Sequence, residues 1–237
     1  LLTVGGGNTC FIDYDSEVTR SVAHWLKENY QTPESQPFFL FVGYILPHCP
    51  YIAPTELYSK YAKRLPAHRV SANELNGQHQ FHQDFRVSIG LEGVPEANQT
   101  AAKAAYYGLV ETLDRNVGHI LTTLKHTGAD QDSVVMYMSD HGEMLGSHGR
   151  WHKMCFYEES VRVPFSISLP ESTSQMIPRV TDIVELVDLF PTLCDLADIK
   201  LPYPINGESL LPLINGTSAS RKKQHARSEY YGARSNR

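Results

Sequence analysis

Residues 134–164 read VVMYMSDHGEMLGSHGRWHKMCFYEESVRVP, and how they are parsed decides the fold. The apolar run at 134–138 has the length and composition of a buried strand. Ser139, Asp140 and His141 stand at its end, followed by Gly142. Open α/β sheets bind ligands beyond the carboxyl ends of their strands. A carboxylate and an imidazole therefore arrive where such folds do chemistry. Lys153 comes 13 residues after Asp140, past a loop punctuated by Gly142, Gly146 and Gly149. A carboxylate, an imidazole and an ammonium brought close together suit a divalent cation holding an anionic oxygen group.

Upstream of this stretch, residues 100–127 form the longest helix candidate. Val110, Leu113, Val117, Ile120, Leu121 and Leu124 recur at three-and-four spacing and predict one buried stripe, with Gly128 as C-cap. Tyr106 and Tyr107 near its start read as packing residues. A second buried-strand candidate is FFLFVGYI at 38–45. It runs into Leu46-Pro47-His48-Cys49-Pro50, whose prolines stop the strand and hold His48 just past its end. Downstream, 161–168 reads as a strand made irregular by Pro164. Residues 179–199 carry a helical apolar pattern interrupted by Pro191. Helix, short loop, strand, with polar residues at the strand end, fits an α/β sandwich.

The remaining segments are less informative. Residues 1–13 are glycine-rich and read as loop. Asp13 or Asp15 caps a helix reaching about residue 30, with Val18, Val22, Trp25 and Leu26 as its apolar face. Residues 54–61 read as a short helix and 63–96 as irregular. The latter hold His68, His79 and His82 without a second ligand group nearby, so a surface loop is favoured over a metal site. No internal repeat or low-complexity tract occurs.

With 237 residues, 41% of them hydrophobic and 20% charged, the chain is long enough for one large globular domain. The net charge of −5 offers no basic field to nucleic acid. No apolar run is long enough to span a bilayer. The chain opens Leu1-Leu2-Thr3 without an initiator Met or signal peptide, and we expect a fragment of a longer protein. The cysteines Cys10, Cys49, Cys155 and Cys194 form no CxxC pair, which argues against a zinc knuckle. Asn98-Gln99-Thr100 and Asn215-Gly216-Thr217 are N-glycosylation sequons and permit a secretory route.

The string SDHGEMLGSHGRWHKMCFYEESVRVP at 139–164 resembles the metal-and-lysine segment of the type I sulfatases, members of the alkaline phosphatase superfamily. The likeness is strongest to the branch of choline-sulfatase-like and iduronate-sulfatase-like enzymes. The segments FVGYILPHCP at 41–50, AYYGLVETLDRNVG at 105–118, VELVDLFPTL at 184–193 and INGESLLPL at 205–213 resemble further family motifs. The resemblance implies an alkaline-phosphatase-like α/β sandwich, its central sheet mostly parallel and flanked by helices, incomplete in this chain. Residues 1–237 would be a partial catalytic domain, with 216–237 beginning a C-terminal region.

The resemblance also implies roles. His48 would contact the sulfate and help the leaving oxygen depart, and Lys153 would supply charge and donors to the same group. His152 would line the substrate cleft. Asp140 and His141 would flank one Ca²⁺, although His141 is an unusual calcium partner and could instead hydrogen-bond the nucleophile. Cys49 falls at a variable position and reads as passive. The family's formylglycine arises from Cys or Ser in a C/S-x-P-x-R segment, which is absent here and expected upstream. The expected activity of the full-length protein is therefore metal-assisted hydrolysis of a small-molecule or glycan sulfate ester, with the fragment alone inactive. A phosphodiesterase or phosphonate monoester hydrolase, or a non-catalytic binder of sulfated ligands, is the alternative. A lysosomal, secreted or periplasmic location is expected over a cytoplasmic one.

Overall fold

The computed structural model describes residues 3–30, 36–66, 72–88, 90, 93–170, 179–217, 221 and 223–230. His68 and residues 231–237 of the expected C-terminal region lie outside them. The chain is α/β and divides into two compact units. The first takes in Leu1–Asp132 and His141–Arg162; the second takes in Ser133–Asp140 and Val163–Ala233.

In the first unit, strand β1 (Val4–Gly6) pairs in parallel with β2 (Tyr51–Ala53), and helix α1 (Cys10–Asn29) lies between them in sequence. The stretch expected to be loop thus holds a strand. Thr9, not Asp13 or Asp15, caps α1: its side chain accepts from Ile12 N at 3.3 Å. Val22 and Leu26 are buried as expected, but Trp25 is only partly covered.

Helix α2 (Thr55–Ala62) follows β2. The segment expected to be irregular folds into two short helices, α3 (Ala72–Asn76) and α4 (Gln80–Ser88). Their sequence is too polar for an apolar stripe to announce them; partners elsewhere in the unit hold them.

Helix α5 (Glu96–Thr127) is the longest element and ends at Gly128 with φ 78°. Lys125 and His126 in its last turn complement the helix dipole. Its buried face departs from the expected stripe. Leu113 and Leu124 are buried, but Val110 and Leu121 are exposed, and the N-terminal half buries Ala102, Ala104, Ala105, Gly108 and Leu109. Small residues let the helix approach closely: a Cβ on Gly108 would lie 2.8 Å from the Ala53 Cβ and 3.3 Å from the Leu57 Cβ. The core is completed by Ile12, Leu46, Tyr51, Ala53, Val94 and Trp151. Lys60 and Arg115 pair with Glu111 on α5, drawing its carboxyl down to about 2. A four-residue helix, α6 (Glu158–Val161), closes this unit.

In the second unit, β3 (Val135–Met138) and β4 (Phe165–Ser168) form an antiparallel pair with Val135 opposite Ser168. β4 starts only after Pro164, since proline cannot donate to a ladder. A short 3₁₀ turn at Leu186–Asp188 runs into helix α7 (Leu189–Leu196), and α8 (Leu211–Ile214) follows. Here the apolar pattern misleads. Leu186, Val187 and Phe190 are exposed, while Asp188, Pro191, Thr192 and Cys194 are buried.

Asp188 organises this unit. Its carboxylate accepts from Glu185 N and Glu208 N, both at 2.9 Å, and from Arg221 at 2.6 Å. Lys223 pairs with Glu185 and reaches Asp188. Burial alone would raise the Asp188 pKa, but Arg221 and the two amides overcome it and hold the group down to about 2.

The run at 38–45, expected to be a buried strand, forms no ladder with any described residue. Phe39 is 73% exposed and Phe41 79%. Helix α1 covers one side of the run, through Trp25 against Phe38 and Thr19 against Tyr44, but no described strand flanks it, so Phe39 and Phe41 stay uncovered.

Candidate active site

Two loops of the first unit bring His48 and Lys153 together. The Lys153 ammonium Nζ lies 3.1 Å from His48 Nε2, across 105 residues of sequence. Each loop is fastened by a carboxylate that accepts backbone N–H groups.

Asp15 fastens the His48 loop. It is 0% exposed, and its two oxygens accept from Ile45 N and Leu46 N, each at 2.9 Å. Thr19 on the same helix bonds to Tyr44 at 2.9 Å and steadies the entry to the loop. Burial raises the Asp15 pKa and the two amides oppose that shift. Beyond this clamp, both prolines follow cis peptide bonds, and His48 N donates to Ile45 O at 3.0 Å. The Cys49 carbonyl lies 2.8 Å from His48 Nδ1 and can only accept, so that nitrogen carries its proton. In the neutral ring, the lone pair is then on Nε2, the atom facing Lys153. Phe11 meets the ring edge-on at 6.3 Å.

Glu143 fastens the Lys153 loop. Its Oε1 accepts from Leu145 N at 3.0 Å and from His152 N at 2.6 Å. The loop is also tied by Met144 N to His152 O and by Gly146 N to Arg150 O, both 2.8 Å. Its first residue, Gly142, donates to Ser160 O at 2.8 Å, and a Cβ there would collide with the Glu159 carbonyl. Trp151 is 2% exposed and packs its ring 5.7 Å from Tyr51, so it anchors the loop in the core.

His152 is half-buried, stacked on the Tyr51 ring at 6.2 Å. Burial lowers its pKa; Glu143 pulls it up, and the neighbouring His48 and Lys153 push it further down. Burial also raises the Cys49 thiol, assisted by Glu143 and opposed by Lys153.

His82, expected on a surface loop, sits on α4 with Nδ1 3.0 Å from the Arg150 guanidinium and its ring 5.0 Å from Tyr157. Arg150 is buried and also lies 4.3 Å over the Phe85 ring. His148 stacks on Tyr157 at 4.1 Å and faces Glu74 at 3.2 Å. These contacts bind α3 and α4 to the glycine loop. His79 Nδ1 accepts from Phe81 N at 3.2 Å, a local turn contact.

Asp140 belongs to the second unit and has Ser139 Oγ 3.5 Å from its Oδ1. His141 belongs to the first unit, with Nδ1 2.8 Å from Gly142 O. That bond sets the tautomer with its lone pair on Nε2, the form that can ligate a metal. Among the described residues, no group of three or more His, Cys, Asp or Glu side chains could hold a metal by itself.

The sequence analysis missed the parts played in the site by Glu143, by Asp15, read there as a helix cap, and by Tyr51. A carboxylate on a glycine-rich loop is a usable signal for the first. The other two depend on tertiary burial.

Comparison with known proteins bears on these residues as a set. The sulfatase family profile matches residues 9–199. The choline-sulfatase of Rhizobium meliloti is 33% identical over 216 residues, covering 86% of this chain and 41% of that protein. Arylsulfatase K of Rattus norvegicus is 31% identical over 225 residues, covering 88% of this chain and 38% of that protein. Among solved structures, the phosphonate monoester hydrolase of Silicibacter pomeroyi superposes with a TM-score of 0.70 at 26% identity, covering 90% of this chain and 42% of that one. The chain thus spans about two fifths of the length of the curated relatives it matches. With the profile matched from the start of α1 to just past α7, and relatives above 30% identity along most of its length, this chain belongs to the sulfatase family.

Proposed function

We propose that the protein carrying this chain hydrolyses sulfate esters, and that His48 and Lys153 handle the sulfuryl group. The observation that supports this most is the 3.1 Å approach of Lys153 Nζ to His48 Nε2. Lys153 presents an ammonium to an anionic oxygen; His48, when protonated, presents Nε2–H to the departing oxygen. A sulfuryl oxygen that accepts from both groups would take the place of their direct contact. His152 lines the same place with a neutral ring.

Asp140 and His141 would hold one Ca²⁺. Asp140 offers the hard oxygen that calcium prefers, and the His141 tautomer leaves Nε2 suited to ligation. Calcium takes about six to eight oxygen ligands, so these two residues contribute part of a set completed by groups outside this pair. When bound, the ion would neutralise sulfuryl oxygens. The nucleophile would be a formylglycine supplied from outside these 237 residues.

The test uses a protein containing all 237 residues together with the nucleophile segment. It should hydrolyse 4-nitrocatechol sulfate or choline sulfate, lose activity in EDTA and regain it with calcium. His48→Ala and Lys153→Ala should each lower kcat by about 100-fold or more. Wild-type rates in both variants would overturn the assignment. The likeness to a phosphonate monoester hydrolase supports a second reading, and a higher kcat/KM for an aryl phosphonate monoester than for any sulfate would favour it. Retained binding of sulfated glycans without turnover would indicate a non-catalytic relative. Asn98 and Asn215 are both exposed, which supports passage through a secretory compartment; an endoglycosidase-sensitive mass shift would test it.

A further inference from the structure

We infer that Glu143 is a positioning residue that sets Lys153 against His48 through the backbone of His152. The inference rests on the proposed role of that pair. Lys153 is flanked by two non-glycine residues in the left-handed region, His152 at φ 66° and Met154 at φ 72°. Such conformations are unfavourable for L-residues and persist only where the surroundings over-determine them. Glu143 provides that constraint. Its Oε1 takes the His152 amide at 2.6 Å and the Leu145 amide at 3.0 Å, so one oxygen joins both limbs of the loop. The His152 carbonyl is held by Met144 N at 2.8 Å. The His152 ring is fixed by stacking on Tyr51, a fully buried side chain whose hydroxyl lies 3.5 Å from Nδ1. Backbone and ring of the residue before Lys153 are therefore both pinned, and the lysine leaves the loop in one direction. Removing the carboxylate would strand two amides and release the left-handed turn.

An acceptor is what this role needs, not a charge or a transferable proton. Glu143→Gln keeps an oxygen where the two amides point, whereas Glu143→Ala does not. In an active protein containing all 237 residues, we expect Glu143→Ala to lower kcat/KM by about 100-fold, the scale of a 1 Å misplacement. Glu143→Gln should stay within about threefold of wild type. Equal damage in both variants would assign Glu143 a charge or proton-transfer role and overturn the inference. Glu143→Asp, too short to span both amides, serves where the alanine variant does not fold, and should fall between the other two.

A second readout separates this inference from the reading beneath it. Reductive ¹³C-methylation gives one NMR signal per lysine, with that of Lys153 identified by its loss in Lys153→Arg. We expect His48→Ala and Glu143→Ala to move the Lys153 signal and Glu143→Gln to leave it in place. If His48→Ala moves it and Glu143→Ala does not, the positioning role fails and the pair stands. If His48→Ala leaves it unmoved, the pair itself fails.

Discussion

A buried carboxylate on α1 and an exposed imidazole 33 residues later form one device. Asp15 takes no part in chemistry, yet the loop bearing His48 hangs from its two oxygens. Replacing it with alanine leaves the part-buried Ile45 amide and the buried Leu46 amide without their acceptor. Each such loss costs about 1–3 kcal/mol, so Asp15→Ala should lower the urea midpoint by the equivalent of about 2–6 kcal/mol. Asp15→Asn, which retains one acceptor oxygen, should lose about half of that. A midpoint unchanged in the alanine variant would mean that the loop is held by other contacts.

Helix α4 meets the glycine loop through His82, and this contact depends on pH. Burial lowers the His82 pKa, and the charges of Arg150, His79, Arg86 and His148 lower it further. The folded state therefore favours the neutral ring, which accepts from Arg150. Above the unfolded value of about 6.5, both states are neutral and the full stabilisation is present. As pH falls below it, the unfolded chain takes up a proton that the folded chain resists, and stability declines. One group contributes a slope of at most about 1.4 kcal/mol per pH unit, and the lowered His152 adds in the same direction. Denaturation curves between pH 5 and 7 should show stability rising with pH. His82→Gln, which keeps an acceptor but does not titrate, should flatten part of that slope; an unaltered slope would place the titration elsewhere.

At the scale of the whole molecule, the run at 38–45 leaves Phe38, Phe39, Leu40 and Phe41 in contact with water. A contiguous apolar, β-prone segment of this kind drives association. The isolated 237-residue chain should therefore bind a hydrophobic dye and self-associate at micromolar concentration. Phe39→Asp with Phe41→Asp should reduce both signals in sedimentation and fluorescence assays. Monomeric behaviour of the wild-type chain would contradict this. The same run marks the limit of what could be read in advance. Periodicity and caps are local, so α2, α5 with its glycine cap, and β3 were legible. Burial is collective, so the covering of 38–45, the alanine face of α5 and the acid at the centre of the second unit were not. The Asp-His-Gly and Pro-His-Cys-Pro segments could be picked out in advance because they set polar side chains at fixed spacing. The carboxylates that aim His48 and Lys153 act on main-chain amides, which no side-chain pattern reveals.

Asp188 draws its nearest opposite charge from Arg221, 33 residues further along. During synthesis that acid leaves the ribosome well before its counter-ion, and until Arg221 emerges it must stay hydrated or pick up a proton. The order of the chain thus imposes a timetable: the second unit can seal its interior only once residue 221 has been made.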